Sequence, residues 1–204
     1  YPTGNFVFGS PAVVDGVVYI GSCDNKVYAL DAETGALKWS YATGAPVYSC
    51  PAVVDGVVYV GSTDYKVYAL DAETGAVQWI CTTGGRVESS PAVANGVVYF
   101  GSRDGDVHAL NATDGTQLWR ITAGHWLFSS PAVLDTIVYI GSGDGNLYAL
   151  NASNGEKFWN YTINDTPGNF VYASPAVVDG VIYIASTDRH MYALDAADGD
   201  LIWQ

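Results

Sequence analysis

Positive charge is scarce in this sequence: eight lysines and arginines stand against 21 aspartates and glutamates, a formal net charge of −13 over 204 residues. A nucleic-acid partner needs clustered Lys and Arg to meet its phosphates, so none is expected. Long apolar runs are missing too. None approaches the roughly 18 residues of a membrane span, and no membrane insertion is expected. No stretch repeats its apolar residues every 3.6 positions over a helical length, so no helix is expected. Cysteine is limited to Cys23, Cys50 and Cys81, an odd number without metal-type spacing. There is no initiator methionine and no signal-like start, as in a mature chain or an excised piece. Disorder is excluded by the 49% of apolar residues.

What is present is one phrase written five times. Residues 11–44 read PAVVDGVVYIGSCDNKVYALDAETGALKWSYATG, and residues 51–84 nearly copy them, 40 positions on. The phrase returns at Pro91, Pro131 and Pro175. Each unit parses into four short strands. PAVV ends the first, and Asp15-Gly16 supplies the two positive-φ residues of a type I′ hairpin turn. VVYIGS, VYALD and LKWSYAT follow, separated by polar turns at Cys23–Lys26 and Ala32–Gly35. A four-stranded antiparallel unit of this length, repeated around an axis, is the signature of a propeller blade.

The expected fold is therefore all-β: a single five-bladed β-propeller over residues 1–204, with four antiparallel strands per blade. The chain ends at Leu201-Ile202-Trp203-Gln204, which aligns with residues 37–40, and begins at Tyr1-Pro2-Thr3-Gly4, which aligns with residues 41–44. The ring is expected to close by pairing these two segments, the N-terminal one completing blade five, because closure leaves no exposed edge. A monomer is expected.

A tryptophan stands in every fourth strand: Trp39, Trp79, Trp119, Trp159 and Trp203. Each ends the pattern A-x-[DN]-x-x-[TDN]-G-x-x-x-W, which begins at Ala29, Ala69, Ala109, Ala149 and Ala193. This resembles the tryptophan-docking motif of the PQQ-type propeller repeat, over the whole chain. That repeat is known from quinoprotein alcohol dehydrogenases and from the lipoprotein of the outer-membrane β-barrel assembly machinery. The resemblance implies that each Trp docks on the neighbouring blade beside small residues. Burying one removes about 150–250 Å² from water, an upper bound of roughly 4–6 kcal/mol each.

Departures limit what else the resemblance implies. Quinone-using members have about eight blades, an adjacent Cys-Cys pair and an acidic calcium site. Here there are five units and no adjacent cysteines, so no quinone, other cofactor or metal is expected. Asp135-Thr136 replaces the Asp-Gly or Asn-Gly of the other first hairpins, which demands a less favourable turn. The fourth unit carries four extra residues around Asn164–Gly168.

A propeller has two faces. The turns between strands one and two and between three and four share one, and here they barely vary. The turns between strands two and three and the links between blades share the other, and these differ from blade to blade. That varied face takes five of the eight basic residues, Lys26, Lys66, Arg86, Arg103 and Arg189, together with His125 and His190. Drift explains such variation, and so does a ligand surface carried by loops on a rigid frame. Asp24, Asp64, Asp104, Asp144 and Asp188 recur at one turn position. They suggest a calcium ring, but the D-x-[DN]-x-[DN]-G pattern is absent, and Asx-turn formation is the simpler reading. His108 replaces the tyrosine of its third strand and is expected to pack there. The histidines form no three-ligand zinc set, and no Ser/His/Asp set stands out from the repeat's serines. Asn111, Asn151, Asn160 and Asn164 begin Asn-x-Ser/Thr tripeptides, which permit an extracellular or cell-envelope location without demonstrating one. Asn111 and Asn151 stand where a short polar side chain supports a turn.

The first strands, expected to line the central channel, each carry two residues two apart on one side: Phe6 and Phe8, Pro46 and Tyr48, Arg86 and Glu88, Trp126 and Phe128, Phe170 and Tyr172. Either the aromatics fill the spaces between blades and Arg86 bonds Glu88 at the rim, or the belt forms the wall of a shallow cup. Candidate ligand-binding residues are Arg86, Glu88, Arg103, His125, Trp126, Arg189 and His190, with no catalytic residue. The expected function is a non-catalytic module binding a protein or small molecule on the varied face. A sugar-binding five-bladed propeller and a fragment of a quinoprotein-like oxidoreductase are the alternatives.

Overall fold

A computed structural model describes residues 1–163 and 170–204. The expected insertion around Asn164–Gly168, and the Asn164 tripeptide with it, lies outside the described residues. Among the described residues there are twenty strands and no helix, in five antiparallel sheets of four strands in sequence order. Blade one comprises Ala12–Val14, Val17–Ser22, Lys26–Asp31 and Leu37–Ala42. Blade five comprises Ala176–Val178, Val181–Ala185, Met191–Asp195 and Leu201–Trp203.

The first hairpins turn as their residues require. Asp15 and Gly16 have φ of 49° and 73°, the left-handed pair of a type I′ turn. Asp135 keeps φ at 52°, but Thr136 is not among the positive-φ residues, since a β-branched side chain resists that region. Across each blade one trio recurs. Tyr19 lies opposite Ala29, and Ala29 lies opposite Trp39. The small alanine lets the two rings approach over it, with centroids 5.9 Å apart.

The core lies between blades. The tryptophan of one blade docks on the three-to-four turn of the next. Trp39 Nε1 donates to the Ala72 carbonyl at 2.9 Å, Trp79 to Ala112 at 2.9 Å, Trp119 to Ala152 at 2.9 Å and Trp159 to Ala197 at 3.1 Å. Gly75 must be glycine twice over: its φ is 72°, and a Cβ there would lie 2.7 Å from the Trp39 ring. Apolar residues of the two blades fill the joint. Tyr19, Val27 and Trp39 pack with Val58, Val60, Tyr68 and Leu70. Deeper in, Val47 of the incoming link seats on Gly21, and Val87, Leu127 and Val171 repeat this on Gly61, Gly101 and Gly141.

A second series of bonds ties the inner wall, where the first strands of successive blades approach each other. The N–H of Ser10 donates to Cys50 Sγ at 3.0 Å, Cys50 to Ser90 Oγ at 2.8 Å, Ser90 to Ser130 Oγ at 2.9 Å and Ser130 to Ser174 Oγ at 2.9 Å.

The expected pairing of the C-terminal strand with the N-terminal segment is not found. The fifth sheet holds its own four strands and no other. Trp203 keeps 48% of its surface exposed, against 7–8% for Trp39, Trp79 and Trp119. No atom lies within 4 Å of a Cβ placed on Gly35, where a docked tryptophan would sit. The N-terminal segment lies instead against blade one, as a link lies against the blade it enters. Gly4 N–H donates to Asp24 Oδ2 at 2.7 Å, as Gly44 does to Asp64 at 2.8 Å, and the Tyr1 ring sits 5.6 Å from that of Tyr28. The physical reason is that a phase match between the two ends does not supply the curvature that would bring them together.

Candidate functional site

The repeated hydrogen bonds establish which elements share a face. Link N–H groups donate to the aspartates of the two-to-three turns, as Gly84 does to Asp104 at 3.0 Å, so links and those turns lie together. Ala32 N–H donates to the Gly16 carbonyl at 2.9 Å, so the two repetitive turns share the opposite face.

The recurring turn aspartates are absorbed by the scaffold. Asp24 accepts from Tyr28 at 2.6 Å, Asp64 from Tyr68, Asp144 from Tyr148 at 2.5 Å and Asp188 from Tyr192 at 2.5 Å. Burial, and then the bond to Asp188, push the Tyr192 hydroxyl up to about 12. In blade three, His108 takes the tyrosine's place, with Nε2 3.2 Å from Asp104 Oδ2 and its ring stacked on Phe100 at 5.0 Å. Burial alone would raise the Asp104 carboxyl. The hydrogen bond and charge of His108, with the N–H groups of Asp106 and Gly84, outweigh it and hold the carboxyl at about 2. Asp104, Asp106 and His108 bring ligand-type atoms within 4.8 Å of one another. Their charge is already met by protein, since Arg120 Nε lies 3.3 Å from Asp106 and Thr122 donates to it at 2.7 Å.

The quinone site of the repeat family does not fit these residues. Cys23 is buried beside Tyr48, Cys50 is engaged by Ser10 N–H, and Cys81 lies on a fourth strand. No two adjacent thiols exist to form the family's vicinal pair.

The inner rim of the varied face gathers the remaining chemistry. Arg103, on the two-to-three turn of blade three, donates from Nε to Glu88 Oε2 at 3.0 Å. Glu88 thus pairs with Arg103 and not, as expected from the sequence, with Arg86. Arg86 is exposed and has no ion pair among the described residues. The Arg103 guanidinium also lies over the rings of Phe128, at 4.4 Å, and Trp126, at 5.2 Å. From Phe128 the aromatic contacts continue to Tyr172 at 4.7 Å, Phe170 at 4.9 Å from Tyr172, and His125 at 5.8 Å from Phe170. A second group, Phe6, Phe8 and Tyr48, stands on the other side of Arg86 and Glu88, with centroids 5.7–5.9 Å apart. Burial raises the Tyr48 hydroxyl first, then Cys23 and Glu88, while Arg86 opposes them, so this ring lies within electrostatic reach of both charges. Arg189 and His190 are exposed on blade five, where His190 lies beside Asp188 and Tyr192 and not in the Arg103 cluster.

Much of this wall faces solvent: Phe6 is 72% exposed, Phe8 66% and Trp126 48%. Val47, Val87 and Leu127, between these positions, are fully buried in the joints. These residues lie on links and not, as expected from the sequence, on the first strands, which start only at Ala12, Ala52, Ala92, Ala132 and Ala176; their alternation is still that of an extended segment with one side in the core and the other on the wall. A shallow hollow of about 200 Å³ lies beside Arg103, His125 and Trp126. Larger hollows of about 410–570 Å³ lie at joints on the repetitive face. They recur because the joint recurs. Sequence reasoning missed the Arg103–Glu88 pair. Its one signal was the size of Arg103 at a turn position held elsewhere by Cys23, Thr63, Gly143 and Thr187.

Comparison with known proteins follows the fold. A family model described as "Beta-alanine-activating enzyme, beta-propeller" matches residues 7–204. No curated protein matches. Among solved structures, BamB from Moraxella catarrhalis superposes with a TM-score of 0.84 at 20% identity, over 96% of this chain and 63% of that one. The quinohemoprotein alcohol dehydrogenase ADHIIG from Pseudomonas putida HK5 gives 0.82 at 24% identity, over 100% and 42%. The quinohemoprotein alcohol dehydrogenase from Comamonas testosteroni gives 0.84 at 22%, over 97% and 42%. The chain spans less than two thirds of the length of each.

Proposed function

This chain belongs to the β-propeller family of the beta-alanine-activating enzyme, and from that premise we propose that it is a non-catalytic module that binds an extended polypeptide segment along its aromatic inner wall. The observation that carries this reading is the exposed belt of Phe6, Phe8, Tyr48 and Trp126, with Arg103 and Glu88 fixed among the rings. Aromatic side chains and arginine on a rigid frame are the usual anchors of a protein interface. The extent of the wall favours a polypeptide over a compact ligand. The hollow at Arg103 is about 200 Å³ among the described residues. The wall, in contrast, draws on the links of all five blades. Arg86, exposed and unpaired among the described residues, would meet a carboxylate of the ligand, and the rings would take its apolar side chains.

Repeat serines such as Ser49 and the histidine His108 have structural roles, which favours binding over catalysis. Ser49 Oγ accepts from Gly61 N–H at 2.8 Å, and His108 substitutes for a tyrosine. The quinohemoprotein neighbours offer an oxidoreductase as the other reading, which the missing vicinal cysteines disfavour.

Selection from a displayed random peptide library on the immobilised chain tests the proposal. Enriched peptides should carry aromatic or aliphatic residues and a carboxylate. They should bind Trp126→Ala about 30-fold more weakly, a hot-spot loss of about 2 kcal/mol. Absence of enrichment, or peptides indifferent to both Trp126→Ala and Arg103→Ala, would overturn it.

A further inference from the structure

Two hollows on the repetitive face match residue for residue, 80 positions apart, and differ in charge. Between blades one and two, Asp15, Gly56, Asp71 and Glu73 line a hollow of about 570 Å³, together with Lys38. Between blades three and four, Asn95, Thr136, Asn151 and Ser153 take those four places around a hollow of about 410 Å³. The apolar residues stay the same, Val17 and Tyr19 in one and Val97 and Tyr99 in the other. The joint between blades two and three keeps Asp55 and Gly96, and the joint between blades four and five keeps Asp135, Gly180 and Asp195. At one joint, then, all four residues have changed, and they come from three separate turns on two blades. Thr136 is there despite a hairpin turn that favours glycine.

We propose that the hollow between blades three and four binds a neutral, hydroxyl-rich ligand of monosaccharide size, at a site separate from the aromatic wall. Its polar groups are of both kinds. Asn151 Oδ1 accepts from the Ser153 N–H at 2.8 Å and from the Ser153 hydroxyl at 2.6 Å. The NH₂ of that amide, the Asn95 amide and the Thr136 hydroxyl make no hydrogen bond among the described residues. Asp135 adds a carboxylate acceptor. Each hydroxyl of a sugar both donates and accepts, and such a mixture serves it. Charge selects against the alternatives. Among the described residues no lysine or arginine lines this hollow to meet an anion. A cation finds more carboxylates in the hollow between blades one and two. Val97 and Tyr99 give the apolar side on which the C–H face of a sugar ring would rest. The volume of about 410 Å³ suits one small ligand, since such sites run to roughly 300–1,000 Å³.

The test is a titration of the full chain followed by amide correlation NMR spectra. The probes are glucose, mannose, galactose and N-acetylglucosamine, the methyl glycoside of each, and glucuronate as an anionic control. At least one neutral sugar should move the amide signals of Asn95, Thr136, Asn151 and Ser153 to saturation. The signals of Asp15, Gly56, Asp71 and Glu73 should stay in place, and glucuronate should bind at least about tenfold more weakly. Movement by a methyl glycoside assigns the ligand to the end of a glycan, and movement by free sugars alone assigns it to a free monosaccharide. Either supports the proposal. The triple variant Asn95→Asp, Asn151→Asp, Ser153→Glu gives this joint the residues with which the joint between blades one and two is built. It should keep a folded spectrum and bind at least about tenfold more weakly. Thr136→Gly, which puts back the residue of the other four units, should weaken binding about 2–10-fold, the loss of one hydrogen bond. No movement with any sugar, equal movement at both hollows, or variants that bind as tightly as the wild type would overturn the proposal.

Discussion

Tyr65 and Arg189 hold φ of 72° and 76°, a region that L-residues other than Gly, Asn and Asp seldom enter. Blades three and four put Gly105 and Gly145 at the same turn position, and blade one puts Asn25 there. Tyr65→Gly should therefore raise stability by about 0.5–1 kcal/mol, the relief of strain exceeding the added freedom of glycine in the unfolded chain. Urea unfolding checks this, and a fall in the midpoint would mean that the Tyr65 ring makes contacts worth more than the strain. A second residue-level prediction concerns acid. Asp104 titrates at about 2 in the folded protein, below its ordinary value of 3.8. On acidification the unfolded chain takes up this proton first. The Asp104 contribution is thus present above about pH 4 and is lost as pH falls towards 2. The melting temperature of Asp104→Asn should be lower at neutral pH and should fall less steeply over that range. An unchanged slope would show that the bond between His108 and Asp104 contributes little.

At the scale of the strand and the joint, the tryptophan series divides by what lies against it. Trp119→Ala should cost about 3–5 kcal/mol, as for other buried aromatics cut to alanine, while Trp203→Ala should cost about 0.5 kcal/mol or less, as at an exposed site. Equal losses in urea unfolding would place Trp203 in a joint. The N-terminal segment divides from the sheets in the same way. Removing residues 1–10 deletes the bonds from Gly4 to Asp24, from Cys23 to Phe6 and from Ser10 to Cys50, but no strand of any sheet. The shortened chain should keep a native β circular-dichroism spectrum with a lowered melting temperature. Loss of that spectrum would restore the closed ring expected from the sequence.

At the scale of the whole molecule, legibility follows repetition. The four-strand parse and the Tyr-Ala-Trp trio could be read because each is written five times, and the first-hairpin turn because Asp-Gly or Asn-Gly is written in four of the five units; each obeys a local rule. Closure could not. A tryptophan at position 203 satisfies the motif, but its burial depends on a neighbouring blade, which is a property of curvature and not of phase. The site was legible in part. The alternation that puts Phe6, Tyr48 and Trp126 on one side of their links is local and was visible. The pairing of Glu88 with Arg103 crosses from a link to a turn 15 residues on and leaves no pattern. What remains is whether the wall so formed takes a polypeptide. The most direct measurement is fluorescence titration of the chain with a library-selected peptide, comparing wild type, Trp126→Phe and Trp203→Phe. A blue shift that saturates in wild type and in Trp203→Phe, and disappears in Trp126→Phe, is the predicted result. A shift that persists in Trp126→Phe and disappears in Trp203→Phe would place the peptide on the open end of blade five and contradict the account.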